Sequence, residues 1–334
     1  MKRILVLGGT NFIGRNLVER LMTSGEYDIS LFNRQQTQSD LFQTLKKIKG
    51  DRETADIHKI GNKKWNFVID LYCYYPASLK AVLDQLKGID NYIFVSTCSV
   101  YDHLINQSVL RNESAEILDC SPEQQIDRSP STYGNRKAEC ERILKNAGLA
   151  HTILRPALVF GQYDPTDRFY YWLHQVNSSK DLVVPENGER QFSTTYVFDL
   201  VEAILASLKT SAASETYNVI TQPQTSIGQI IEIASRFLKK DPKWINASAE
   251  FLKEEQVQEW VDMPLWIHGD HFTYSNQKLI QNLAIPLTAF DKAIEHTIKH
   301  YQGLDWYKPT YGIEEQQRQR LLKRAIHKNR SITH

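Results

Sequence analysis

The chain opens with a strand-length apolar run, RILVL (3–7), that passes straight into a glycine turn, GGTNFIG (8–14), and then into a helix pattern, RNLVERLMTSG (15–25). That order constrains the fold more than any other feature. A strand, a glycine turn and a helix converge backbone N–H groups and the positive end of a helix dipole on one point. This is the anion site of a dinucleotide fold. Gly8 allows the tight turn, Gly9 the close approach of a pyrophosphate, and Gly14 the packing of helix on strand. Asn11 stands where most such turns carry a glycine; asparagine tolerates a left-handed backbone better than most residues, and its side chain suits bracing the turn. Thr10, Phe12 and Ile13 complete the expected cofactor-binding loop.

The same grammar continues. Further strands are expected at 28–32, 66–71, 91–96, 151–155 and 216–220, several of them continuous and β-branched, as in a sheet buried on both faces. Helices are expected at 77–88, closed by Gly88, at 131–148, closed by Gly148, and at 226–238. Alternation of this kind predicts an α/β fold, a Rossmann-type doubly wound parallel sheet with a smaller C-terminal substrate lobe. Residues 1–160 and about 192–220 are assigned to the nucleotide-binding domain, 161–191 and 221–310 to the lobe, and 311–334 to a basic helical tail read as a solvated helix.

A formal net charge of +1 offers no global field for nucleic acid or membrane. No stretch approaches the roughly 18 apolar residues of a membrane span. MKRILVLGG has the charges of a signal peptide but too short an apolar run, so a cytoplasmic protein is expected. The four cysteines lack CxxC spacing and read as reduced thiols. HGDH (268–271) lacks the spacing of a metal site and reads as a surface loop, so no metal is expected.

The end of the second strand selects the cofactor. An NAD site wants a carboxylate there for the ribose hydroxyls; this chain carries Asn33 and Arg34, so NADP is preferred over NAD. Downstream, STYGNRKAECERILKNAG places Tyr133 and Lys137 four apart, on one helical face. A phenol beside an ammonium is drawn toward a useful acid–base pKa. A strand ending in Ser96, Thr97 and Ser99 precedes it.

GGTNFIG, VSTCSVY, YGNRK, RPALVFG and YVFDL occur in the order of the extended short-chain dehydrogenases/reductases, and the chain resembles that superfamily over roughly residues 1–310. The pattern is similar to its epimerase/dehydratase-like, isoflavone-reductase-like bacterial branch. The resemblance implies that Tyr133 is the acid/base, that Lys137 binds the nicotinamide ribose, and that Thr97 holds the reacting oxygen, with Ser99 beside it. It further implies Asp51 near the adenine, Leu71 at the end of the third core strand, and Pro156 to Val159 beside the nicotinamide. Arg190 matches an arginine that meets a substrate diphosphate, and Arg168 stands as a second substrate contact or as one half of a loop-fixing pair with Asp167. Two departures matter: Leu158 replaces an asparagine common in nucleotide-sugar enzymes, and LYCYYP puts Tyr72 and Tyr74 where small residues are usual, either narrowing the pocket or packing in the core.

The expected function is NAD(P)-dependent hydride transfer at a carbonyl or alcohol carbon of a small molecule. An epimerase or dehydratase with tightly bound cofactor is the alternative. A non-catalytic nucleotide- or RNA-binding protein, as in related chloroplast proteins, ranks last, so nucleic acid and membrane partners are not expected. A homodimer is admitted.

Overall fold

The computed structural model describes residues 1–101, 109–210, 214–269 and 271–332, with side chains up to residue 326; Asp270 of the HGDH run lies outside the described residues. Along the chain the strands are β1 (Lys2–Leu7), β2 (Tyr27–Asn33), β3 (Lys46–Lys49), β4 (Phe67–Asp70), β5 (Asn91–Val95), β6 (His151–Pro156), β7 (Leu158–Phe160), β8 (Asp181–Pro185), β9 (Phe192–Tyr196), β10 (Glu215–Val219), β11 (Gln222–Thr225) and β12 (Lys243–Ala247). Seven of them form one parallel sheet in the order β10-β6-β5-β4-β1-β2-β3. The order reverses between β1 and β4, which opens a crevice at the carboxyl ends of those strands.

Helices cover both faces. On one, α1 (Phe12–Ser24) lays Leu17, Val18 and Leu21 against the sheet beside residues of a later helix spanning Val197–Ser207. On the other, α2 (Pro76–Leu83) packs with the helix at Tyr133–Lys145; the short α3 (Pro122–Ile126) precedes that helix, which is α4. The remaining helices are α5 (Arg168–Ser178), α6 (Val197–Ser207, named above), α7 (Ile227–Leu238), α8 (Ala249–Glu254), α9 (Gln277–Leu283), α10 (Phe290–Gln302) and α11 (Glu315–Ile332). A second core, shared by α5, α7, α8, α10 and α11, builds around the small sheets β11-β9-β7 and β12-β8.

Three local outcomes differ from the sequence reading. β3, with the sequence KKIK, is an edge strand whose lysines mask it as a loop, the usual way an edge is protected. The helix expected to reach Gly88 ends at Leu83, and Gly88 instead takes a left-handed turn at φ +61°. The tail helix α11 is not solvated on all sides: Leu321, Leu322 and Ala325 are buried in the second core, and Arg320 and Arg324 pair with Glu255. No helix among the described residues is long and apolar enough to cross a membrane.

Candidate active site

The glycine turn leaves β1 with Gly8 at φ +115° and Gly9 at φ +104°. A Cβ on Gly14 would lie 2.8 Å from the Cα and N of Gly9, so only glycine lets α1 approach the turn this closely. Asn11 is extended (φ −127°, ψ 150°) rather than left-handed; it caps α1, its Oδ1 accepting from the Phe12 N–H at 3.0 Å. The positive φ falls on Phe12, at +26°. Asn33 braces the loop from β2, donating to the Gly8 carbonyl at 3.1 Å. Tyr72 lies along the loop: its hydroxyl donates to the Asn11 carbonyl at 3.1 Å, and a Cβ on Gly8 would meet its ring at 2.8 Å.

This turn forms one wall of a cleft of about 660 Å³ across the carboxyl ends of β1 to β4. Gly8, Gly9, Thr10, Asn11, Asn33, Arg34 and Asp51 all line it. Phe12, Ile13, Gly14 and Leu71 do not; Leu71 is buried under Gly14, its Cδ1 being 3.0 Å from where a Cβ there would sit. Asp51 turns the chain, its Oδ1 accepting from the Glu53 N–H at 2.9 Å. A cradle of glycine backbone at a helix N-terminus, opening on a cleft of this size, fits a dinucleotide.

The sequence reading passed over what holds the far side of the cleft. Arg52 donates to both oxygens of the buried Asp70 at 2.6 and 2.8 Å, and the Tyr92 hydroxyl adds a third bond at 2.6 Å. That pairing keeps the Asp70 carboxyl below its ordinary pKa against the opposing effect of burial. The signal was present: Asp70 is the lone charge in an apolar strand, and a buried charge requires a partner. Arg128 crosses from the segment before α4, pairing with Glu53 at 2.7 Å and facing the Tyr75 ring at 4.7 Å.

Tyr133 begins α4, and Lys137 follows one turn later, fully buried. The Lys137 ammonium donates to the carbonyls of Cys73 at 3.0 Å and Val95 at 2.8 Å, and sits 4.1 Å from the Phe94 ring centroid. It therefore ties the ends of β4 and β5 to α4. Burial lowers its pKa. Desolvation likewise pushes the phenol of the half-buried Tyr133 above its ordinary value, with the Thr97 hydroxyl working the other way. The acidifying pull expected of the Lys137 ammonium is not among the main causes of the shift.

α4 can bring Tyr133 beside Thr97 because residue 134 is glycine: a Cβ there would lie 2.1 Å from the Ser99 carbonyl oxygen. Thr97 in turn caps the short turn at Cys98–Val100, accepting from the Ser99 N–H and donating to the Ser99 hydroxyl, both at 3.1 Å. Ser96 is withdrawn, donating to Glu141 at 2.6 Å within a buried group completed by Arg155 and Tyr101.

Thr97, Ser99 and Tyr133 line a second cavity, of about 320 Å³, closed by Leu158, Trp260, Ile267, Phe272 and Tyr274. Tyr74, which lines the first cleft, lies 6.0 Å from the Tyr133 ring, so the two spaces adjoin at this pair. Pro156 and Val159 line neither space, though Ala157 and Leu158 between them line the second. Arg168 is stacked between Trp260 and Tyr311, and Arg190 is paired with Glu186 at 2.8 Å; neither lines the cleft or the second cavity. Asp167 does not pair with Arg168 but accepts from Tyr307 and Thr310, tying the chain before α11 to the start of α5.

Comparison with known proteins follows the same lines. The chloroplast stem-loop binding protein of 41 kDa b of Arabidopsis thaliana is 26% identical over 236 residues, covering 65% of this chain, which spans 58% of that protein's length. The dTDP-D-glucose 4,6-dehydratase of Mus musculus is 21% identical over 339 residues, 90% of this chain and 89% of that one. The crystal structure of dTDP-glucose 4,6-dehydratase from Bacillus anthracis, in complex with NAD, superposes with a TM-score of 0.71 at 18% identity, over 92% of this chain and 99% of that one. The model of the NAD dependent epimerase/dehydratase family matches residues 4–219, a stretch running from the first strand of the glycine cleft through Tyr133 to the last strand of the large sheet, and the chain belongs to that family.

Proposed function

We propose that this chain is an NAD(P)-linked enzyme acting at a single alcohol or carbonyl carbon, with Tyr133 as its acid/base. One observation carries the reading: the Tyr133 and Thr97 hydroxyls share the wall of a cavity that adjoins the glycine cleft. A nicotinamide dinucleotide, when bound, supplies the hydride chemistry. The chain's own residues do the rest. Thr97 and Ser99 hold the substrate oxygen, and Tyr133 exchanges a proton with it. Lys137 lines neither space; with two of its three N–H donors on the Cys73 and Val95 carbonyls, it serves to position α4 against the ends of β4 and β5 and not as the ribose contact the sequence suggested.

NADP is the favoured cofactor. Arg34 is an exposed cation on the cleft with no carboxylate at the end of β2, while Glu53 is occupied by Arg128. Transient oxidation, as an epimerase or dehydratase would use, draws on the same groups. RNA binding, suggested by the name of the chloroplast relative, finds little support in the tail, whose Arg320 and Arg324 are engaged by Glu255.

Tyr133→Phe tests the reading. Turnover of an accepted substrate should fall by about two to four powers of ten, with dinucleotide affinity nearly unchanged. Undiminished turnover overturns the assignment.

A further inference from the structure

From the walls of the second cavity we infer that its substrate is a compact, uncharged carbonyl or alcohol compound with an apolar, aromatic-sized body, and not a nucleoside diphosphate sugar. This rests on the reading of Tyr133 above and concerns what that residue acts upon.

The lining of the cavity is of two kinds. Thr97, Ser99, Ser131, Tyr133 and Ser193 are hydroxyl residues, which suit a neutral oxygen function. Trp260, Phe272 and Tyr274 supply an aromatic wall. Among the described residues, no charged side chain lines the space. Cations are close by, yet none is among the lining residues. Arg168 lies 5.1 Å from the Trp260 ring centroid on its way to Tyr311. Arg111 stacks at 5.0 Å on the Tyr274 ring and donates to the His271 carbonyl. Arg190, the residue matched to a diphosphate contact, is held by Glu186, whose carboxylate also accepts from the Trp266 indole N–H at 2.8 Å.

A diphosphate brought here would lose its hydration without gaining a cation or an N–H fork, and burying an uncompensated charge is among the costliest events in a protein. The volume agrees. About 320 Å³ lies at the bottom of the range of about 300–1,000 Å³ typical of ligand clefts, a size that suits a ring bearing a ketone. An apolar body, by contrast, gains from every side of the aromatic wall.

The full chain loaded with NADPH is titrated calorimetrically with acetophenone and with UDP-glucose. Acetophenone should saturate, and its affinity should drop about tenfold or more both in Trp260→Ala, which removes the wall, and in Ile267→Trp, which fills the space. UDP-glucose should not saturate. Saturable UDP-glucose binding tighter than that of acetophenone, or acetophenone binding that is absent or unmoved in both variants, overturns the inference. The two readings fail differently. Turnover of UDP-glucose that depends on Tyr133 defeats the substrate class alone, whereas turnover indifferent to Tyr133→Phe, with acetophenone still bound through Trp260, defeats the acid/base assignment alone.

Discussion

Arg34 illustrates how much a single position at a strand end decides. It sits on the cleft wall next to Asn33, whose amide is committed to the Gly8 carbonyl. A ribose 2′-phosphate would find a guanidinium there, whereas the end of β2 offers no carboxylate to a bare ribose. Arg34→Ala should therefore lower NADPH affinity about tenfold or more while leaving NADH affinity within about twofold, an effect of charge-assisted hydrogen bonding. Fluorescence titrations with both dinucleotides check it; parallel losses for the two would remove the preference. Asn11 carries the opposite lesson. Its identity suggested a left-handed residue, but the hydrogen bond that its side chain accepts from the Phe12 N–H makes it an ordinary helix cap, and the unusual backbone moved to its neighbour. Residue type constrains the available conformations, and the local hydrogen bonds choose among them.

At the scale of elements, the placing of Tyr133 beside Thr97 depends on how closely α4 approaches the turn after β5. Gly134 is the spacer that permits it. Adding one methyl would force the helix start away from the Ser99 carbonyl, separating Tyr133 from Thr97. Gly134→Ala should cost about 1–3 kcal/mol in unfolding free energy, as overpacking does, and reduce turnover more than the loss of stability explains. Thermal melts and turnover on the same preparation decide; wild-type values for both would mean that the contact is not limiting. The elements themselves were largely legible. The inner strands are continuous apolar runs because helices cover both faces, and a run of that kind reads as a strand without further context. β3 escaped because an edge strand lacks a partner on one side and is only partly buried, Ile48 alone packing on the core while its lysines obey solvent rather than the sheet. The helix drawn to Gly88 failed for a different reason: a left-handed glycine ends turns as well as helices, and the sequence does not distinguish them.

For the whole molecule, the loop joining β7 to α5 carries a buried carboxyl whose titration enters global stability. Asp164 accepts from the Thr166 N–H and hydroxyl at 2.9 and 2.8 Å, yet burial pushes its pKa up to about 6 from an ordinary 3.8. A carboxyl raised on folding binds its proton more tightly in the folded state, so it weakens the fold above about pH 6, and that penalty fades as pH falls through 6 toward the unfolded value. A shift of about two pKa units corresponds to on the order of 3 kcal/mol. Asp164→Asn should thus be more stable than wild type at pH 8, with the difference shrinking toward zero near pH 4; urea unfolding across that range measures it, and a difference independent of pH would refute it. The amino-acid order by itself determined the parallel sheet, the glycine cradle and the pairing of Tyr133 with Lys137 on one helical face, because each follows from periodicity or spacing within a few residues. Only the tertiary structure decided that Arg52 clamps Asp70, that α11 docks on the second core, and that Trp260, Phe272 and Tyr274 meet Tyr133 across more than a hundred residues of chain. Such contacts are set by how packed layers bring distant side chains together, and no local pattern encodes that distance.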